Sequence, residues 1–204
     1  MKKSETRENR KETILNTAIA CFTEYGYYKA SMDMISEEAG ITKRGLYYHF
    51  RSKDELFIEV FKYRGEKYFK LLAQNSSKES SPGQSLITYI QKGSKALIKD
   101  DLFLRFMVEF VSISARNMKV KEVIKEYYKN SIHYIRAFLE EGIKSGDFIA
   151  HDTEKTARTI YFVGLGKFFA KCSFGVDFEL FEEQVFDIKQ ILKGINNSPA
   201  ASCK

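Results

Sequence analysis

The chain has 204 residues, of which 44% are hydrophobic, so it can form one or two modest domains with a sizeable core. It has only two prolines and no tryptophan, and this scarcity of helix breakers favours an all-α fold. A run of about 18 apolar residues is absent, and the basic N-terminus leads into no apolar signal region, so we expect a cytoplasmic protein without a membrane partner. The net charge of +6 permits nucleic-acid binding without establishing it.

The three cysteines, Cys21, Cys172 and Cys203, are widely spaced and lack zinc-site spacing. We therefore expect no disulfide framework, and Cys21 is interpreted as a core residue of an apolar helix face. Ahead of that helix, residues 2–10 form a charged arm. Glutamates are interspersed among its cations, so contact with the minor groove of DNA is only an alternative. The cations are Lys2, Lys3, Arg7, Arg10 and Lys11.

The first predicted helix runs to about Tyr25, and we expect Gly26 to end it. Its apolar residues recur with helical spacing at Ile14, Leu15, Ala18, Cys21, Phe22 and Tyr25. A helix-turn-helix is predicted next, within residues 31–53. Its first helix would be capped by Ser31, its turn made by a left-handed Gly40, and its second helix capped by Thr42. Leu46 and Phe50, four residues apart, would face the core.

The outward side of this second helix carries cations, phenols and an imidazole, which suits a DNA groove. The residues predicted to contact DNA there are Lys43, Arg44, Tyr47, Tyr48 and His49, with Gly45 allowing close backbone approach. Ser31, Thr42 and Lys53 lie at helix N-termini, where hydroxyls, backbone N–H groups and the helix dipole attract phosphate. The alternative is an ordinary solvated face on two packed helices.

Six more helices are predicted after this motif. Ser52 and Glu55 form a capping box, and the helix that they open would continue to about Gln74. A loop is predicted over residues 75–83. The later helices are expected after residue 83, from Leu102, from about Val120 to Lys144, from Asp152 or Thr153, and up to Gly194, with a break at Asn117, a loop over 172–177 and a disordered tail.

The run Gly45-Leu46-Tyr47-Tyr48-His49-Phe50, followed by Ser52-Lys53-Asp54-Glu55-Leu56, resembles the recognition-helix signature of the TetR (tetracycline-repressor-like) family of bacterial regulators. The resemblance extends over roughly residues 7–61, and beyond them it is one of helix order and length. It implies a three-helix DNA-binding head and a helical body that binds a ligand and dimerises. We therefore predict an all-α chain with a head over residues 1–52, a body over 53–195 and a tail over 196–204.

The resemblance also implies an inducer pocket among the middle helices of the body. The helix from Leu102 is apolar on nearly all sides, which predicts that it is buried. Its charges, Arg105 and Glu109, would then pair with each other or meet the polar end of a ligand. The predicted pocket residues are Phe103, Arg105, Phe106, Glu109, Phe110, Asn130, His133 and Tyr161, and the ligand is expected to be small and hydrophobic or aromatic.

The last two helices carry more apolar surface than one side of a bundle needs, which predicts a homodimer interface. Its predicted residues are Gly164, Leu165, Phe168, Phe169, Val185, Ile188 and Leu192. The alternative is that these helices only cover the core of the body.

We find no catalytic grouping, metal-ligand spacing or phosphate-binding glycine loop, so no enzyme activity and no cofactor are expected. The chain is interpreted as a dimeric repressor that binds a palindromic DNA operator and is released by a small ligand, through a shift of the helix that begins at Lys53. Two rival interpretations are a helical enzyme or metal-binding bundle, and a DNA-binding regulator that answers to a protein partner.

Overall fold

The computed structural model describes residues 7–74 and 81–197. Over these residues the chain is all-α, as predicted, and none of its helices there is long and apolar enough to cross a membrane. The helices are α1 (Arg7–Lys29), α2 (Met32–Glu38), α3 (Lys43–His49), α4 (Lys53–Gln74), α5 (Pro82–Lys99), α6 (Asp101–Ser114), α7 (Met118–Ser145), α8 (Thr153–Phe174) and α9 (Leu180–Lys193). The basic residues Lys2 and Lys3, most of the loop predicted over 75–83, and Cys203 lie outside the described residues.

The chain folds as two compact units. The head unit comprises the described residues up to Lys70 together with Lys99–Lys125, and the body unit comprises Leu71–Ile98 and the described residues from Glu126 onward. This division differs from the predicted boundary after residue 52, because α6 packs against α1 and so belongs with the head unit.

The core of the head unit is a cluster of phenylalanine rings from α1, α4 and α6. The ring of Phe57 lies 4.9 Å from those of both Phe22 and Phe106, and the rings of Phe61 and Phe110 stack at 4.1 Å. Only one face of α6 is buried, formed by Phe103, Phe106, Met107, Phe110 and Ile113. The expectation that α6 is buried all round is therefore wrong, since its opposite side carries exposed residues.

The core of the body unit is aliphatic, with one phenylalanine, and it draws on α5, α7, α8 and α9. Its buried residues include Leu86, Ile132, Ile135, Leu139, Phe148, Ile160, Ile188 and Leu192. The ring of Phe148 lies so close to α7 that a Cβ atom on Gly142 would stand 2.1 Å from it. Packing at this point therefore requires a glycine.

The segment after α9 returns to the turn between α7 and α8. The N–H of Ile149 donates to the carbonyl of Ile195 at 2.9 Å, and the N–H of Asn197 donates to the carbonyl of Asp147 at 3.0 Å. Asn196 and Asn197 were expected to begin a disordered tail, and that expectation is wrong for these two residues because the turn supplies partners for their backbone.

Several helix ends differ from the predicted ones. Helix α1 begins at Arg7, inside the predicted arm, and Gly26 kinks it with φ of 75° while helical geometry resumes up to Lys29. Asn117, predicted as a break, caps α7: its side-chain oxygen accepts from the N–H groups of Lys119 and Val120 at 3.0 and 3.3 Å. Helix α8 continues into the first three residues of the loop predicted over 172–177, as far as Phe174, and ends at a left-handed Gly175.

Candidate nucleic-acid interface

The helix-turn-helix is built by two side-chain caps and one left-handed turn. Ser31 Oγ accepts from the N–H of Met34 at 3.1 Å, and Thr42 Oγ1 accepts from the N–H of Gly45 at 3.0 Å. Between the two helices, Gly40 has φ of 63°, a conformation that costs glycine no Cβ clash. Leu46 and Phe50 are buried. The predicted caps, the turn and the inward face of α3 are therefore confirmed.

The outward side of α3 exposes its cations and phenols. Thr42, Arg44, Tyr47 and Tyr48 are exposed, with Tyr48 at 71%, while Gly45 and His49 are half-buried. Lys43 is exposed too, but its Nζ lies 2.7 Å from Asp33 Oδ1 on α2, and the hydrogen bond to this carboxylate raises the lysine pKa. A pair so open to solvent contributes little stability, so phosphate can compete for the lysine.

Cations of α1 lie beside α3, which the sequence did not reveal because these residues were assigned to an arm. The guanidinium of Arg7 lies 5.5 Å from the centre of the Tyr48 ring, and Lys11 Nζ lies 5.9 Å from that of Phe50. Partial burial lowers the pKa of His49, and the charges of Arg7, Arg10 and Lys11 lower it further. The available signal was the spacing of these three cations, at i, i+3 and i+4, which places them on one side of a helix.

The amine of Lys53 contacts the protein backbone rather than an open surface. It donates to the carbonyls of Tyr27, Tyr28 and Ala30 at 2.7, 3.2 and 3.0 Å, and it stands 4.6 Å from the centre of the Tyr27 ring. Burial lowers its pKa. Lys53 was predicted to meet phosphate, but here it binds the end of α1 and Ala30, which follows that helix.

The predicted capping box at the start of α4 forms with one difference. Ser52 Oγ accepts from the N–H of Glu55 at 3.1 Å, as expected of the cap. The carboxylate of Glu55 accepts from the N–H of Arg51 at 2.8 Å, one residue before the expected donor. Both bonds satisfy backbone donors at the entry to α4.

The five pocket residues predicted on α6 belong to the head unit. Phe103, Phe106 and Phe110 pack in its core. Arg105 is exposed and pairs with Asp101 at 3.0 Å, whereas Glu109 accepts from the backbone N–H of Tyr27 at 2.7 Å. The expectation that Arg105 and Glu109 satisfy each other is wrong, because each has a partner of its own.

The three remaining pocket residues belong to the body unit. Asn130 and His133 are exposed, and Tyr161 is half-buried with its ring edge-on to Tyr128 at 5.3 Å. Burial raises the pKa of Tyr161 to about 12, so its hydroxyl stays protonated. Two open grooves of about 360 Å³ each lie on the body unit, and none of these three residues lines either of them.

The residues predicted for a dimer interface divide between the core and the surface of the body unit. Phe168, Ile188 and Leu192 are buried within their own chain, so the expectation that they face a partner is wrong. A Cβ on Gly164 would lie 3.7 Å from Gln184 on α9, so this glycine also faces its own chain. Leu165, Phe169 and Val185 are partly exposed. On α8 the exposed side carries Phe162 and Gly166, beside which there is open space.

A capped helix-turn-helix that turns cations and phenols outward, in an all-α chain, defines a DNA-binding transcriptional regulator. Comparison with known families agrees: residues 14–60 match the model described as bacterial regulatory proteins, tetR family. The chain therefore resembles the TetR family, and residues 14–60 carry the match.

Relatives support the same class over most of the chain, and solved structures share its fold. The uncharacterized HTH-type transcriptional regulator YhgD of Bacillus subtilis (strain 168) is 29% identical, over 73% of this chain and 77% of that protein. The fatty acid metabolism regulator protein of the same organism is 22% identical, over 73% and 76%. In structure, the regulator FadR from Bacillus subtilis, in complex with stearoyl-CoA, superposes with a TM-score of 0.79 at 19% identity, over 91% of this chain and 99% of that one.

Proposed function

We propose that this regulator is a cytoplasmic repressor that binds a palindromic operator as a homodimer and leaves it when a small hydrophobic ligand binds. The observation that carries the proposal is the two-sidedness of α3. Its inner side is anchored by the buried Leu46, while Arg44, Tyr47 and Tyr48 are exposed on the other side. A short helix held in this way can enter a major groove without disturbing its own core.

Each side chain of the outward face has a role that its chemistry supports. Arg44 can donate two hydrogen bonds to a guanine edge, and the hydroxyls of Tyr47 and Tyr48 can donate to phosphates. Thr42 and Ser31 stand where two helix N-termini attract phosphate, and Lys43 can exchange Asp33 for a phosphate oxygen. Gly45 has no side chain and so lets the backbone of α3 approach DNA closely, and His49 lies at the C-terminal end of α3.

Operator binding is tested on a duplex selected from a random pool. Because lysine and arginine release counterions from DNA, the affinity should fall by orders of magnitude over roughly a fourfold rise in salt. Arg44→Ala and Tyr48→Ala should weaken binding and change the free energy of unfolding by less than about 0.5 kcal/mol, as expected of surface positions.

Lys129→Ala is the matched control, since it removes one exposed positive charge from α7 in the body unit. It should leave operator affinity near that of the wild type. Binding that ignores salt, or that the control weakens as much as Arg44→Ala does, would contradict the role of α3. The rival interpretation as an enzyme or metal-binding bundle predicts no selected duplex at all.

Release by a ligand is supported by the kinds of relative that the chain has. The structure of a fold neighbour was solved in complex with stearoyl-CoA, which makes long-chain acyl-CoA the first class of ligand to test. A ligand releases DNA only if it binds the DNA-incompetent state more tightly than the competent one. We expect stearoyl-CoA to raise the melting temperature and to lower operator affinity, and coenzyme A without the acyl chain to do neither.

A ligand that raises the melting temperature yet leaves operator affinity unchanged would contradict the coupling. If no member of a hydrophobic panel changes either quantity, the rival in which a protein partner controls the regulator gains support. Pull-down of partners with the operator-bound protein then distinguishes the two.

A further inference from the structure

The Tyr27 turn, which is the kink that Gly26 and Tyr27 form near the end of α1, is held at its backbone by α6. Gly26 redirects the chain with φ of 75°, and the next N–H, that of Tyr27, donates to Glu109 Oε1 at 2.7 Å. The two residues are 82 positions apart in the sequence. Helix α6 thus reaches the turn through the carboxylate of Glu109.

The side chain of Tyr27 brings two further elements to the same place. Its ring is buried and lies 4.8 Å from that of Phe57, and its hydroxyl donates to Asp54 Oδ1 on α4. The other carboxylate oxygen, Oδ2, accepts from Asn117 Nδ2 at 3.1 Å. This tyrosine hydrogen bond lowers the pKa of Asp54, so the carboxylate stays charged and continues to accept from both partners.

The contacts continue into the start of the helix-turn-helix. The amine of Lys53 binds the carbonyls of Tyr27, Tyr28 and Ala30, and Ala30 immediately precedes Ser31, the cap of α2. Helix α2 then leads through Gly40 into α3. The position of α3 is therefore linked to a short segment that α4 and α6 hold directly. Asn117, at the start of α7, supports that segment through Asp54.

We propose that Glu109 and Asn117 are positioning residues for the recognition helix: neither meets DNA, but both hold the Tyr27 turn and so set where α2 and α3 are presented. The inference rests on the proposed binding of the operator by α3. Glu109, which the sequence suggested as a polar contact for a ligand, would instead hold the backbone of the turn. Any displacement of α6 would then displace the turn as well.

Because Glu109 is negatively charged, electrostatics and positioning predict opposite effects of its replacement on DNA binding. Replacing a glutamate with alanine raises the net charge by one, which by electrostatics alone should tighten binding to DNA. Positioning predicts the opposite: Glu109→Ala should weaken operator binding by at least about fivefold, the low end of coupling between sites. Glu109→Gln loses the same charge but keeps an oxygen that can accept from the Tyr27 N–H, so it should bind at least as tightly as the wild type.

Glu122→Ala is the control for charge, because it removes an exposed glutamate from α7 in the same unit. It should bind at least as tightly as the wild type. Asn117→Ser is a second positioning variant: serine can still cap α7, but it is too short to donate to Asp54 in place of the amide, so binding should weaken without loss of the cap. Hydrogen exchange of the amides in residues 26–31 should quicken in Glu109→Ala and Asn117→Ser, and not in Glu109→Gln.

The outcomes separate this inference from the proposed function. If the wild type binds the selected duplex and Glu109→Ala binds it equally well, the positioning role is overturned while the proposed function stands. Equal weakening in Glu109→Ala and Glu109→Gln would also overturn it, because the hydrogen bond would not be the cause. If the wild type binds no duplex, the proposed function fails and this inference fails with it.

Discussion

His49 occupies the end of α3, half-buried and close to three cations. Burial and the charges of Arg7, Arg10 and Lys11 lower its pKa from the usual 6.5, so the unbound protein carries it neutral at pH 7. Because this pKa is lower in the folded protein than in the unfolded chain, the unfolded chain binds the proton more readily. The stability that neutral His49 contributes is therefore present above pH 6.5, and it is lost as the pH falls through the folded pKa.

DNA binding is expected to shift the pKa of His49 in the opposite direction. Phosphates that approach α3 offset the charge of the nearby cations and raise the pKa of His49, so binding takes up a proton. We expect operator affinity to rise as the pH is lowered from about 7.5 to about 5.5, and His49→Gln to flatten that dependence. The control is His133→Gln, an exposed histidine of the body unit, which should leave the pH dependence intact.

The sequence predicted those residues of the site whose structure is local. Ser31, Gly40 and Thr42 act on backbone groups within a few positions, so the spacing alone identified their roles. Lys53 and Glu109 bind backbone groups far away in the chain, and no local pattern states which carbonyl or N–H a charged side chain will meet. The DNA contacts themselves stay predictions.

Packing between elements depends on single positions, and the place where α7 turns towards α8 shows this. The ring of Phe148 fills the space beside Gly142, where a Cβ would stand 2.1 Å from a ring carbon. Alanine normally stabilises the interior of a helix relative to glycine by up to about 1 kcal/mol. Gly142→Ala should instead destabilise the protein by about 1–3 kcal/mol, because the buried ring must move.

The comparison is Gly164→Ala in α8, where the added Cβ meets only Gln184 Nε2 at an ordinary 3.7 Å. It should keep or raise the free energy of unfolding. Both values come from urea unfolding at one protein concentration. A stabilised Gly142→Ala would mean that Phe148 does not occupy this place.

The orientation of apolar helices was the least predictable property of the elements. Helices α6 and α8 carry apolar residues around most of their circumference, so periodicity could not tell the buried side from the exposed one. Polar residues identify the exposed side of a helix only where they are frequent. Hence Phe168 and Ile188 were assigned to an interface although both are buried within their own unit.

At the scale of the whole molecule, the order of the helices along the chain did not predict which helices pack into the same unit. Helices α4 and α7 each contribute residues to both compact units, and α6 lies in the head unit although the chain reaches it only after α5. Sequence motifs mark where the helix-turn-helix begins and ends, but they carry no record of which later helix completes its core. The fold class and helix order were predictable, whereas the division into units was not.

The predicted homodimer should use the exposed side of α8. Phe162 is 53% exposed, Gly166 follows one helical turn later with open space beside it, and Phe169 completes the same face. A glycine between two phenylalanines lets an equivalent helix approach closely, and burying these rings removes apolar surface from water. Phe162→Glu should therefore convert the dimer to a monomer in light scattering at micromolar concentration. It should also weaken operator binding, since the two half-sites would no longer be bound together.

Phe174→Glu is the matched control. It places the same charge on an even more exposed phenylalanine of α8, 75% exposed, that points about 120° away from Phe162 around the helix. This variant should remain a dimer and bind the operator like the wild type. If Phe174→Glu dissociates while Phe162→Glu does not, the interface lies on another side of α8, and a monomeric wild type would exclude the dimer altogether.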